Sequence, residues 1–316
     1  MKKIILVLVF SMLISGCATV SDFGKTIPNY LPGIESSSLD SFLGRSGIVS
    51  MNIIYPIENE KIIYDLSYNE FSPIIKITNS GSIESRGQVC LVGLDENVFS
   101  GAHSNDCLTY SFIPVPDETF FPATLTFGPY QIIPGDINAP DFTLTAINRY
   151  TYKSGALFKP CIKKDPYDRQ DCSAKLIETL NGPITITSIT EKITPVGESR
   201  VKLAFVVNLK KTANGNLIKT ENVFQEGAIS SLNSLEKDKP KINGIIEDIP
   251  YAGDIECKET TLTDGKGALT CIVGEIDMYD ETGNYLFSGN IQTPAKLTIA
   301  YSFEEVQSNK FNIQTS

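Results

Sequence analysis

Between residues 201 and 210, Val201, Leu203, Phe205, Val207 and Leu209 alternate with Lys202, Ala204, Val206, Asn208 and Lys210. A two-residue period puts the first set on one face of an extended chain, whereas a helix scatters it around the axis. A half-buried β-strand follows. The same grammar recurs along most of the chain. Short β-branched segments at 48–57, 62–66, 74–78, 89–94 and 108–113 are separated by clusters of Gly, Pro, Asn and Asp,. This punctuation predicts an all-β fold of antiparallel sandwich type rather than βαβ units. Short helices are expected only at 173–180 and 223–235, with at most one more near 39–43.

Two hairpins are readable. Ala213, Asn214, Gly215 and Asn216 follow the 201–210 strand, and Asn-Gly suits a two-residue type I′ turn with Leu217 returning alongside,. In the second hairpin, 255–262 runs through Thr263, Asp264 and Gly265 into 266–273. A three-residue loop ending on a left-handed Gly265 makes Leu262 face Lys266 and Cys257 face Cys271.

The chain carries seven cysteines, and six of them fall into neighbouring pairs. Cys90/Cys107, Cys161/Cys172 and Cys257/Cys271 are 17, 11 and 14 positions apart. Six cysteines admit 15 connectivities, and these short spacings favour the sequential one. Each closed loop is worth roughly 3 kcal/mol by chain entropy. Zinc ligation is disfavoured, because no C-x2-C spacing occurs and the chain has a single histidine,.

The seventh, Cys17, ends a different kind of segment. Lys2 and Lys3 precede the apolar run 4–14, followed by Ser15, Gly16 and Cys17. The apolar run is far below the ~20 residues a membrane helix needs and has the marks of an export signal. Ile14-Ser15-Gly16-Cys17 resembles the recognition site of prokaryotic lipoproteins, whose cysteine thiol is lipidated and becomes the mature N-terminus. That resemblance implies a signal peptide over 1–16, a Cys17 diacylglyceryl anchor that holds firmly through two chains, and an extracytoplasmic, membrane-anchored location. Residues 17–46, with Pro28, Pro32, Gly33 and Ser36 to Ser38, read as a flexible tether,. An oxidising compartment also suits the disulfides.

The remaining length suits two domains. A short internal match supports duplication. Gly135 to Pro140 precedes Leu144-Thr145 and Tyr150-Thr151-Tyr152, and Gly289 to Pro294 precedes Leu297-Thr298 and Tyr301-Ser302-Phe303. A boundary near Asn181-Gly182-Pro183 gives two β-sandwich domains in tandem, 47–181 and 182–316.

Chemistry is sparsely marked. The formal net charge of −10 repels nucleic acid and anionic headgroups and suits a cation or a basic partner. Phosphate-binding glycine motifs are absent. His103 reads as a solvated loop residue. Asp165, Asp168 and Asp171 lie between Cys161 and Cys172 and are the candidates for a structural calcium. Lys163, Lys164 and Arg169 offset them, so no resident cofactor is expected. Asp136 and Glu275 are the carboxylate pair available to an exported hydrolase. Phe120, Phe121, Tyr150 and Tyr152 read as packing rather than a sugar platform, and the chain has no Trp,.

Two resemblances extend this reading. Ile75-Lys76-Ile77-Thr78-Asn79-Ser80-Gly81 resembles the strand-then-turn opening of immunoglobulin-like modules of prokaryotic surface proteins, which implies immunoglobulin-like sandwiches. The core tryptophan and inter-sheet cysteine spacing of antibody domains are absent. Tyr150-Thr151-Tyr152-Lys153 with Cys161 to Pro166 and Cys172 is similar to a segment of uncharacterised exported proteins of Woesearchaeota-type archaea, which implies an envelope setting and no activity. The expectation is a non-enzymatic envelope lipoprotein acting by protein contact, as an adhesion module, spacer or complex subunit. A small-molecule- or glycan-binding lipoprotein is the alternative, ahead of a hydrolase.

Overall fold

The computed structural model describes residues 49–64, 70–80, 83–103, 106–113, 122–133, 141–162, 173–180, 182–224, 240–249, 252–279, 282 and 293–315. The signal segment and tether expected over 1–46 lie outside them. The described chain is all-β. Its first strands are β1 (Val49–Tyr55), β2 (Glu60–Tyr64), β3 (Glu70–Phe71), β4 (Ile74–Asn79), β5 (Ser85–Val92) and β6 (Phe99–Ser100). They are followed by β7 (Asp106–Phe112), β8 (Ala123–Thr126), β9 (Tyr130–Ile132), β10 (Asp141–Lys159), β11 (Lys175–Leu180) and β12 (Ile184–Val196). The last are β13 (Arg200–Lys211), β14 (Asn216–Ile218), β15 (Ile242–Ile249), β16 (Gly253–Thr260), β17 (Lys266–Asp277) and β18 (Ala295–Thr315).

Twelve strands form one sheet. Its path is β12-β13-β17-β16-β15-β18-β10-β5-β7, with β11 on β10 and with β14 and β2 on β18. Two three-stranded sheets, β1-β4-β8 and β3-β9-β6, complete the layers. All pairings are antiparallel except that of β2 with β18. The core is one cluster that draws on these layers, including Met51, Ile75 and Ile77 together with Val89, Leu144 and Ala146.

The alternation at 201–210 becomes β13 as expected, with Val201, Leu203, Phe205, Val207 and Leu209 all buried. The centre of the molecule is less local. β10 and β18 are 19 and 21 residues long and pair from Asp141/Asn312 to Phe158/Ala295. The two similar segments of sequence therefore lie against each other. Tyr150 faces Phe303, Tyr152 faces Tyr301, and Thr151 faces Ser302 at the midpoint. On either side of that midpoint, β5 adds to β10 over Thr145–Thr151, and β15 adds to β18 over Lys296–Ala300. Each half of the chain thus contributes the length of one strand to the other half. The twelve-stranded sheet runs across the position of the boundary expected at 181/182.

Burial on both faces explains why β10 carries so few exposed residues in its middle,. The Tyr301 hydroxyl hydrogen-bonds Ser154 Oγ at 2.7 Å and accepts the Ile184 N–H at 3.2 Å. A Cβ at Gly182 would lie 2.5 Å from Ser154 Oγ and 2.6 Å from the Tyr152 ring, so only glycine fits this crossing.

Three local expectations meet tertiary structure differently, and a fourth lies mostly outside the described residues. The helix expected at 173–180 is strand β11, paired with β10. A stretch this short is marginal as an isolated helix, and an open sheet edge satisfies its backbone better. Of the helix expected at 223–235, only Val223 and Phe224 are described, after a 3₁₀ turn at Thr220–Asn222. Asn214-Gly215 makes no type I′ hairpin with β13, since β14 pairs with β18. Gly215 has φ 118°, and a Cβ there would sit 2.2 Å from the Glu304 carbonyl oxygen. Close approach to β18 is the reason for that glycine.

In the last hairpin the loop is two residues rather than three. Asp264 and Gly265 have φ 51° and 73°, and Thr263 and Lys266 exchange both backbone hydrogen bonds. Leu262 therefore does not face Lys266. Cys257 nevertheless faces Cys271, because β16 takes up one extra residue between Lys258 and Thr263,.

Candidate functional site

The cysteines are the clearest of the sequence-predicted residues. Cys90–Cys107 and Cys257–Cys271 are disulfides, each between directly opposed residues of neighbouring strands. Cys161 is disulfide-bonded. Cys172, Cys17, the calcium candidates Asp165, Asp168 and Asp171, Asp136, Phe120 and Phe121 all lie outside the described residues. Tyr150 and Tyr152 are buried in the core, as read from sequence. His103 is exposed, and its backbone N–H reaches Asp106 Oδ2 at 3.4 Å. The same carboxylate oxygen accepts the Tyr130 hydroxyl at 2.7 Å, so Asp106 closes the loop. Among the described residues no group of three or more His, Cys, Asp or Glu is arranged to hold a metal ion.

Sequence reading missed a buried polar row. Gln88 of β5, Arg149 of β10 and Glu304 of β18 share one register line. The Arg149 side chain is 2 % exposed, and its Nε donates to Glu304 Oε2 at 3.0 Å. Nη1 and Nη2 of Arg149 and Oε1 of Gln88 are buried without a hydrogen-bond partner among the described residues. The ion pair makes this row neutral overall, and it fixes the ladder. A one-residue slip of β10 would carry the guanidinium to the opposite face, out of reach of Glu304. The available signal was a lone Arg149 among the apolar and aromatic residues of one long strand.

On that opposite face, the Tyr110 hydroxyl donates to Asn148 Oδ1 at 2.7 Å. Across the ladder from Asn148 stands Glu305, whose Oε2 is buried without a hydrogen-bond partner among the described residues. Burial pushes the Glu305 carboxyl up to about 7, against a smaller lowering by the Met51 backbone N–H. Glu191 is likewise raised by burial to about 7, although its Oε2 accepts the Cys161 N–H at 2.8 Å.

The Glu305 shift predicts a pH effect. A folded-state pKa raised above its unfolded value favours the fold below pH ~4.5, and that contribution is lost as pH rises through ~7. Glu305→Gln is expected to stabilise the protein at pH 8 by about 1 kcal/mol, the linkage value being reduced for the exposed part of the side chain. The gain should vanish at pH 4. Urea titrations at both pH values check this, and an equal effect at the two would refute it.

The outward face of β12, β13, β17 and β16 is of a different kind. It lies opposite the buried residues of those strands. Its centre is small and apolar. One register line holds Lys192, Ala204 and Ile272, and the next holds Thr190, Val206, Thr270 and Lys258. Ile272 is 52 % exposed and Val206 37 % exposed. Toward one end stand Lys202 opposite Glu275 and Arg200 opposite Asp277, with Asp254 and Glu256 exposed on β16. Arg200 pairs with Glu275 and lies 3.8 Å from Asp277. Toward the other end Lys210 stands opposite Lys266, and Asp264 occupies the turn.

Such a face has the composition of a protein contact, apolar at the centre and charged around it. Comparison with known proteins finds no matching protein-family model and no matching curated protein.

Proposed function

We propose that the protein is a non-enzymatic, lipid-anchored cell-envelope protein that acts by protein contact, as an adhesion module, spacer or envelope-complex subunit. In this reading Cys17 carries the anchor, residues 17–46 form the tether, and the β-sandwich layers stand outside the cytoplasm. The single observation that carries it is the exposed face of β12, β13, β17 and β16. Ile272 and Val206 hold apolar groups in water on rigid strands, where a solvent-facing sheet ordinarily presents polar residues,. The long β10/β18 ribbon ties both halves into one sheet, which suits holding and reaching.

Cross-linking on intact cells, followed by mass spectrometry, tests the contact. A stoichiometric partner joined through this face supports the reading, and the absence of any protein joined through it overturns it. The anchor has its own test. Cys17→Ser is expected to move the protein from the membrane fraction to the soluble one or to block its maturation, as fractionation would show. An unchanged membrane fraction would sink that part.

A further inference from the structure

Resting on that contact reading, we propose that the partner of the β12, β13, β17 and β16 face is a second copy of this chain. The two copies pack face to face about a two-fold axis that lies in the plane of contact and runs across the strands.

The argument begins with charge. One end of the face carries three acids, Asp254, Glu275 and Asp277, against Arg200 and Lys202. The other end carries Lys210 and Lys266 against the single acid Asp264. These two lysines form no ion pair among the described residues. Unpaired lysines gathered at one place stand out in a chain of net charge −10. The face is thus polarised along the strands, with a net excess of one charge of opposite sign at each end.

A two-fold contact uses the same patch on both copies, so the patch has to complement itself. Turning a copy about an axis across the strands reverses their direction. The acidic end of each copy then lies on the basic end of the other, and this happens twice. The Ala204 and Ile272 line of each copy then meets the Val206 line of the other at the middle. A uniformly anionic surface or polymer matches only one end and is repelled by the other.

Size is consistent with this occupant. Strands ~4.8 Å apart and residues ~6.8 Å apart on one face make four strands by six register lines about 780 Å² in plan,. A standard interface buries about 800 Å² per partner, and long lysine and glutamate side chains add to the plan area.

Sedimentation velocity of the intact protein tests the inference. In about 0.05 M salt a concentration-dependent dimer is expected, with its association constant at least tenfold weaker in about 0.5 M salt. Val206→Asp with Ile272→Asp should abolish it. Lys210→Glu with Lys266→Glu, and Glu275→Lys with Asp277→Lys, should each fail to self-associate, yet the two variants mixed should form a heterodimer. All these side chains are exposed, and an unchanged thermal midpoint shows that the variants are folded. A wild-type monomer at about 0.5 mM in low salt, variants that dimerise like wild type, or a mixture no better than its components would overturn the proposal. A photo-cross-linking residue at position 272 on intact cells separates the two claims. Capture of a different protein removes the self-pairing and leaves the contact reading. Capture of nothing removes both.

Discussion

Replacing Glu304 by Ala is expected to cost about 3–5 kcal/mol of stability, as the midpoint of urea unfolding will show. The reason is its partner. Arg149 is 1 % exposed and has Glu304 as its only hydrogen-bond acceptor among the described residues. Without that carboxylate the guanidinium remains buried and uncompensated, and no apolar contact elsewhere offsets it. The double variant Arg149→Leu with Glu304→Leu removes both charges and keeps much of the volume. It should recover most of the loss. If Glu304→Ala costs less than ~1 kcal/mol, the pair is not the electrostatic clasp of the central ladder.

Phe303→Ala should be equally damaging, at about 3–5 kcal/mol, because a fully buried aromatic ring leaves a cavity that paired strands cannot close. Phe303 is 0 % exposed, its ring lies 6.0 Å from that of Tyr150, and it covers Gly215. Its position gives the loss a distinctive reach. β18 pairs with β10, β14, β15 and β2, so loosening its middle weakens strands from both halves of the chain. Amide exchange should speed up in β5 as well as in β15. Acceleration confined to one half would show that the halves are independent units joined only by connection.

Much of the local structure was legible, and the reason is periodicity. The alternation at 201–210 needs no partner to reveal which residues face inward, and β13 buries that set. The cysteine pairs at 90/107 and 257/271 were readable because short spacing and a hairpin bring them together within one ladder. Cys257 met Cys271 even though the turn between them differs by one residue, since the bulge in β16 restores the register. The helix expected at 173–180 failed for the complementary reason. Those few residues carry little intrinsic preference, and the open edge of β10 decided their conformation,.

The candidate contact face was only half legible. Alternation places Lys202, Ala204, Val206, Asn208 and Lys210 on the outside of β13, but their charge pattern has meaning only beside β17 and β16. Arg149 and Glu304 are 155 positions apart, and nothing in either segment names the other. The likeness of 150–152 and 301–303 was visible, but their pairing was not.

By itself, then, the sequence determined the all-β class, the inward and outward faces of its strands and the local disulfides. All three depend on neighbours within one strand or hairpin. The tertiary structure alone decided which strands are adjacent, and with them the shared β10/β18 ribbon, the buried Arg149 row and the polarised outer face. Backbone hydrogen bonds are the same for every residue. The choice of distant partner therefore rests on how buried faces across the chain can be covered together.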